Sequence, residues 1–135
     1  MHRQSNAIVF MNRCTSAAEL LKSGLRKCPH GVQKGFGSGI GKTLNLSDDD
    51  YQKAGASIEA DRSQLYQSAD MVLQIRKPSM EDVALLKKES IYVSLMDPFK
   101  ERELIEAFGQ KGVTAISMEM IPRITRAQKM DVLSS

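Results

Sequence analysis

The sequence predicts an α/β fold with a mostly parallel sheet. Two observations carry this. Apolar runs of strand length, Met71–Ile75, Ile91–Leu95 and Val113–Ser117, begin about twenty residues apart. Each gap between them holds a helical segment with its own start and stop signals. Strands separated by helices at that spacing indicate βαβ units.

Taken in order, Ala7 to Phe10 reads as a short strand. Ser16-Ala-Ala-Glu19 is a capping box, in which the hydroxyl and the carboxylate satisfy free N–H groups at a helix start. Leu20 and Leu21 supply the buried face of that helix, and Gly24 fits its end. Ser47 caps a further short helix whose first turn holds Asp48, Asp49 and Asp50, the favourable end for negative charge. Gly55 ends it, and Ser63 to Ser68 form a helical turn. Lys77-Pro78 stops the strand that begins at Met71, and Ser79 to Asp82 cap a helix through Leu86. Pro98 starts a helix through Gln110 with Leu104, Ile105 and Phe108 on one face, and Gly112 closes it. After the strand from Val113, Pro122 interrupts the backbone ladder, having no N–H to donate.

A chain of 135 residues suits one domain. Its 41% apolar and 26% charged content are those of a water-soluble globular protein. No apolar run approaches eighteen residues, so this chain is expected to span no membrane. Met1 to Phe10 lacks the apolar core of a secretory signal. Cys14 and Cys28 are therefore expected as reduced thiols, and no partner pair lies at zinc spacing beside Cys28 and His30. The net charge of +3 divides unevenly. Residues 1–46 hold seven Lys or Arg against the single acid Glu19, a balance of +6, which leaves −3 for the rest. The basic part lacks the stacking aromatics of a single-strand binder, so a solvated surface and no nucleic-acid partner are expected.

Gly35-Phe-Gly-Ser-Gly-Ile-Gly-Lys-Thr43 imitates two phosphate-binding motifs and fits neither. A P-loop needs Gly where Phe36 stands; the dinucleotide pattern needs a third Gly where Ile40 or Lys42 stands. With no convincing strand entering it, the run is expected as a flexible loop.

The last nineteen residues are chemically richer. Arg123, Thr125, Arg126, Gln128 and Asp131 alternate with Ile124, Ala127, Met130, Val132 and Leu133, just past a strand's C-terminal end, where α/β folds collect ligand contacts. Arg offers a fork of donors, Gln both donates and accepts, and Asp accepts, a set that suits a planar amide such as nicotinamide.

Met118-Glu-Met-Ile-Pro-Arg-Ile-Thr-Arg-Ala-Gln-Lys-Met-Asp-Val-Leu-Ser-Ser135 resembles the nucleotide-contact loop of the alpha subunit of proton-translocating NAD(P) transhydrogenase, and less closely the same place in alanine dehydrogenase. In the transhydrogenase family the loop carries Arg, then Gln five residues on, Asp three further and Ser three beyond. Here these are Arg123, Gln128, Asp131 and Ser134. The stretches SDDDYQKAGASI, SADMVLQIRKP and YVSLMDPF extend the similarity over residues 47–135. It implies Rossmann-like (flavodoxin-like) βαβ layers, with the dinucleotide fingerprint carried by a second Rossmann domain that follows in the family. The chain is accordingly expected as a fragment or split subunit. Residues 1–46 fit less well. Arg13 to Ser16 only loosely match the family's opening, no strand-like run lies between Leu25 and Gln33, and Gly41 to Leu46 read as an insertion. They are expected as a divergent basic segment that leaves the sheet incomplete at its N-terminal end, with an exposed edge.

The resemblance implies hydride transfer between NAD(H) and NADP(H), coupled elsewhere to proton translocation. Arg123, Gln128, Asp131 and Ser134 would be cofactor-binding residues: Arg123 and Asp131 would fix the loop and the nicotinamide end of NAD, and Gln128 would position the hydride transfer toward NADP on a partner domain. Implied partners are the membrane (beta) subunit with its NADP-binding domain, the NAD-binding Rossmann domain, and a second alpha component in a homodimer. The implied place is the cytoplasmic face of the inner membrane, and no metal is implied. Two alternatives stand beside this, an alanine-dehydrogenase-like NAD oxidoreductase and a non-catalytic binding module or inactive remnant. The first is disfavoured by Arg76 and Asp97, which stand where alanine dehydrogenase has a substrate-binding Lys and a His.

Overall fold

The computed structural model describes residues 6–10, 33–39, 47–53 and 55–122. They form one six-stranded sheet, ordered β3-β2-β1-β4-β5-β6, with every neighbouring pair parallel. The strands are β1 (Asn6–Phe10), β2 (Gln33–Gly37), β3 (Ser57–Glu59), β4 (Met71–Gln74), β5 (Ile91–Ser94) and β6 (Thr114–Ser117). The described helices are α1 (Asp48–Lys53), α2 (Arg62–Ser68), α3 (Met80–Leu85) and α4 (Arg102–Lys111). The chain runs outward from β1 to β3 and returns to lay β4 against β1, which is the doubly wound order of dinucleotide-binding folds.

The α/β class and the parallel sheet match the expectation, but the sheet is not incomplete at its N-terminal end. The place expected to be vacant is filled by β2, hydrogen-bonded to β1 on one side and β3 on the other. Its sequence, Gln-Lys-Gly-Phe-Gly, conceals it, because glycines weaken a strand pattern and leave one apolar residue to pack. That residue is fully buried, with the Phe36 ring 5.4 Å from the ring of Tyr51 on α1. The glycine run beginning at Gly35 is therefore not a loop throughout. Gly35 to Gly37 are strand, and the following turn is fastened to α1 by Asp48, whose carboxylate accepts from the Ser38 hydroxyl (2.8 Å) and the Gly39 N–H (2.9 Å).

Helix ends obey local chemistry. Ser79 caps α3 in a complete capping box, its hydroxyl accepting from the Asp82 N–H while the Asp82 carboxylate accepts from the Ser79 N–H. At the far end of α4, Gly112 takes a left-handed conformation (φ +70°), where a Cβ would be strained, and its N–H closes onto Phe108 and Gly109 carbonyls. α4 begins at Arg102, four residues after the expected Pro98, because Pro98 to Lys100 complete a turn centred on the Asp97 carbonyl.

One face of β4 and β5 carries the core. Val72 and Tyr92 are completely buried among Leu65, Tyr66, Val83, Leu86, Met96, Leu104 and Phe108. Tyr92 meets Phe108 at 5.2 Å between ring centres, a tilted aromatic contact. This packing fixes where the strands end, and so where the loops at their C-terminal edge begin. Among the described residues, no helix is long and apolar enough to cross a membrane.

Candidate functional site

Two loops at the C-terminal edge of the sheet are built as one unit. After β5 the chain passes through buried Met96 and then Asp97, which has left-handed backbone (φ +49°). Asp, with its short polar side chain, tolerates that conformation better than most residues. The Asp97 carbonyl accepts from the N–H groups of Lys100 (3.0 Å) and Glu101 (3.1 Å), and its carboxylate pairs with Lys100 at 3.1 Å. After β6, Met118–Met120 form a 3-10 turn closed by the Ile121 N–H on the Met118 carbonyl. Exposed Pro122 follows.

Glu119, in that turn, joins the two loops. One carboxylate oxygen accepts from the Met96 N–H (3.0 Å) and from the Ser117 hydroxyl; the other accepts from the Asp97 N–H (2.9 Å). Burial alone would raise the pKa of this group. The bonds from Ser117, Asp97 and Met96 outweigh it and hold the pKa below the ordinary 4.5. Because the folded value lies below the unfolded one, the stabilisation is complete above pH 4.5 and is lost as pH falls through the folded value. Wild-type stability should therefore fall more steeply than that of Glu119→Gln as pH drops below 4.5. Urea denaturation at stepped pH measures this, and parallel curves would contradict it.

Between these loops and α4 lies a cleft of about 620 Å³ with mostly apolar walls. Met96, Pro98 and Phe99 form one side, and Ile116, Met120 and Ile121 another. Phe99 is 81% exposed and Met120 56%, high for side chains this apolar. Such a cleft can accept the face of a flat, weakly polar ring.

A second polar group lies deeper. Gln74, at the end of β4, accepts on its side-chain oxygen from the hydroxyls of Tyr66 (2.9 Å) and Tyr92 (2.6 Å). Arg62 donates to the Tyr66 hydroxyl (3.1 Å) and pairs with Asp82 at 2.9 Å. Burial, then the neighbouring Tyr66 and Asp82, push the Tyr92 hydroxyl far above the usual range, so it stays a neutral donor. This network is structural: it satisfies polar atoms within the core.

The expected site residues Arg123, Gln128, Asp131 and Ser134 lie outside the described residues, as do the capping box at Ser16 and both cysteines. The structure describes the segment that delivers them, up to Pro122. Arg76 is exposed after β4. Glu119 carries no expectation in the sequence. The one hint is a single acid inside the apolar stretch Met118 to Ile121, directly after a strand. Among the described residues, no group of three or more His, Cys, Asp or Glu side chains could hold a metal ion.

Residues 14–135 match the family described as alanine dehydrogenase/PNT, N-terminal domain. The chain belongs to that family. The match includes most of the basic N-terminal segment. The chain is 37% identical over 98 residues to NAD(P) transhydrogenase subunit alpha of Cereibacter sphaeroides, covering 73% of this chain and 19% of that protein. It is 30% identical over 95 residues to NAD(P) transhydrogenase subunit alpha of Haemophilus influenzae, covering 70% of this chain and 18% of that one. Among solved structures, a transhydrogenase from Sinorhizobium meliloti superposes with a TM-score of 0.77 at 29% identity, over 94% of this chain and 37% of that one. An L-alanine dehydrogenase superposes at 0.69 with 20% identity, over 89% of this chain and 34% of that one, a likeness of fold. This alanine dehydrogenase/PNT N-terminal domain thus spans about a fifth of the length of these two curated relatives.

Proposed function

We propose that this chain belongs to the alpha component of a proton-translocating NAD(P) transhydrogenase and supplies the loop that meets the nicotinamide of NAD. The supporting observation is the fastening of the segment Ser117–Pro122 at the C-terminal edge of the sheet, beside an apolar cleft and immediately before Arg123. When bound, the paired nicotinamide nucleotides supply the hydride donor and acceptor themselves, so no general acid is needed from the protein. Arg123 and Asp131 would hold the amide end of the ring, Ser134 would add a further cofactor contact, and Gln128 would reach toward NADP on the partner domain. Met96, Phe99 and Met120 offer apolar walls for a ring face.

Among the described residues, the glycine run offers no second contact to the nucleotide. A pyrophosphate cradle needs free backbone N–H groups in a glycine loop. Here Gly35 to Gly37 lie in β2, and the Gly39 N–H is already given to Asp48. In this reading the adenosine and pyrophosphate are held by the NAD-binding Rossmann domain. The same reading carries the remaining partners: the membrane subunit with its NADP-binding domain and a second alpha component, at the cytoplasmic face of the membrane. Among the two related chemistries, Asp97 favours transhydrogenation. It pairs with Lys100 and offers no imidazole for amino-acid oxidation.

The test is direct hydride transfer from NADH to an NADP analogue with its own absorbance, in a complex assembled with and without this chain. Transfer that depends on the chain is expected. Equal transfer in its absence would overturn the proposal.

A further inference from the structure

We infer that Glu119 is a positioning residue of the hydride-transfer site: its carboxylate locks the turn after β6 onto the loop after β5 and so fixes the place of Ser117–Pro122, the residues that directly precede Arg123 in the sequence. The inference rests on the transhydrogenase reading and deepens it.

The geometry is specific. Both carboxylate oxygens are engaged, and the two backbone donors, Met96 and Asp97, lie 23 and 22 residues earlier in the chain. A carboxylate accepting two adjacent backbone N–H groups fixes orientation as well as distance, since neither loop can rotate without losing a charge-assisted bond. Asp97 is held from both sides: its N–H by Glu119 and its carbonyl by the first residues leading into α4. Asp97 therefore connects the turn to a rigid helix.

On the other side of Glu119 the path is short. The Ser117 hydroxyl donates to the same carboxylate, and the Ile121 N–H closes the turn on Met118. Pro122, with its fixed φ, comes next and Arg123 follows directly. Few free torsions separate the anchored carboxylate from the first proposed nucleotide contact. The two loops that Glu119 joins also form two walls of the cleft, Met96 to Phe99 and Ser117 to Pro122. One carboxylate thus sets both the spacing of the walls that would flank the ring and the starting point of the loop that would hold its amide. Hydride transfer is sensitive to placement at the ångström scale, so an indirect contact of this kind acts on rate more than on binding.

The decisive variant is Glu119→Gln, which keeps the shape but turns a donor toward one of the backbone N–H groups. Two measurements go together. Hydrogen exchange at the Met96 and Asp97 amides is read on the chain, and single-turnover hydride transfer and NADH affinity are read in the assembled complex. Faster exchange confined to those amides is expected, with transfer about tenfold slower and NADH affinity unchanged. Ser117→Ala, which leaves both backbone bonds in place, gives a smaller loss in the same direction and serves if Glu119→Gln does not fold. A purely structural role would spread the exchange over the domain and lower rate and affinity together; that pattern overturns the inference. Unchanged exchange at Met96 and Asp97 in Glu119→Gln, or normal transfer in both variants, also overturns it. A wild-type complex that transfers no hydride removes the transhydrogenase reading and this inference together, whereas normal transfer in the variants removes this inference alone.

Discussion

Gln128→Asn is expected to lower single-turnover hydride transfer about 100-fold in the assembled complex and to leave NADH affinity unchanged. The side chain keeps its amide but loses one methylene, which withdraws the amide by roughly 1.5 Å. In the proposed role Gln128 does not hold NAD; Arg123 and Asp131 do. It reaches across to the partner's nucleotide and fixes the approach of two rings whose own chemistry moves the hydride. A residue with that task contributes to the transition state and little to ground-state binding, so the loss falls on the rate constant. Stopped-flow measurement with saturating nucleotides separates the two quantities. An unchanged rate removes Gln128 from the role, while a parallel fall in affinity would make it a binding residue like Arg123.

The elements legible in the sequence are those whose signals are local. β4 and β5 are apolar runs, Ser79 with Asp82 marks the start of α3, and Gly112 marks the end of α4. β2 and β3 are not legible this way. Gln33 to Gly37 offers a single large apolar residue, and Ser57–Glu59 is three residues long. They are strands because each finds a parallel neighbour, a condition that only the folded sheet supplies. That is also why residues 1–46 lead naturally to the expectation of an incomplete sheet. The candidate site divides in the same manner. Arg123, Gln128, Asp131 and Ser134 stand out by the spacing they share with the transhydrogenase family, whereas their chemistry alone suggests only a planar polar ligand. Glu119 is silent in sequence because its partners, the Met96 and Asp97 amides, come from a different loop. No pattern of residue types encodes a carboxylate's bond to backbone more than twenty positions away.

Tyr92→Ala destabilises the domain by about 3–5 kcal/mol, the cost of deleting a buried aromatic ring. Tyr92 has no exposed surface, packs against Phe108 and donates to Gln74. Against a total of about 5–15 kcal/mol for a domain of this class, such a loss leaves little folded margin. Tyr92→Phe tests the polar share by itself. The ring stays, and Gln74 keeps its bond from Tyr66, so about 0.5–1.5 kcal/mol is expected. Gln74→Leu is worse than Tyr92→Phe, because it takes the shared acceptor from both tyrosine hydroxyls; Tyr66 keeps its bond from Arg62, and losing the buried acceptor costs about 1–3 kcal/mol. Urea denaturation of the three variants gives the order Tyr92→Ala first and Tyr92→Phe last. A loss below about 1.5 kcal/mol for Tyr92→Ala would mean that the core closes over the gap, against the packing of Tyr92 on Phe108. The same series separates folding from function. Tyr92 lies on the strand that feeds the cleft, four residues before Met96, yet it is not among the residues that line it. Its variants should therefore change the amount of folded protein and leave hydride transfer per folded molecule as it was, whereas Gln128→Asn should do the reverse.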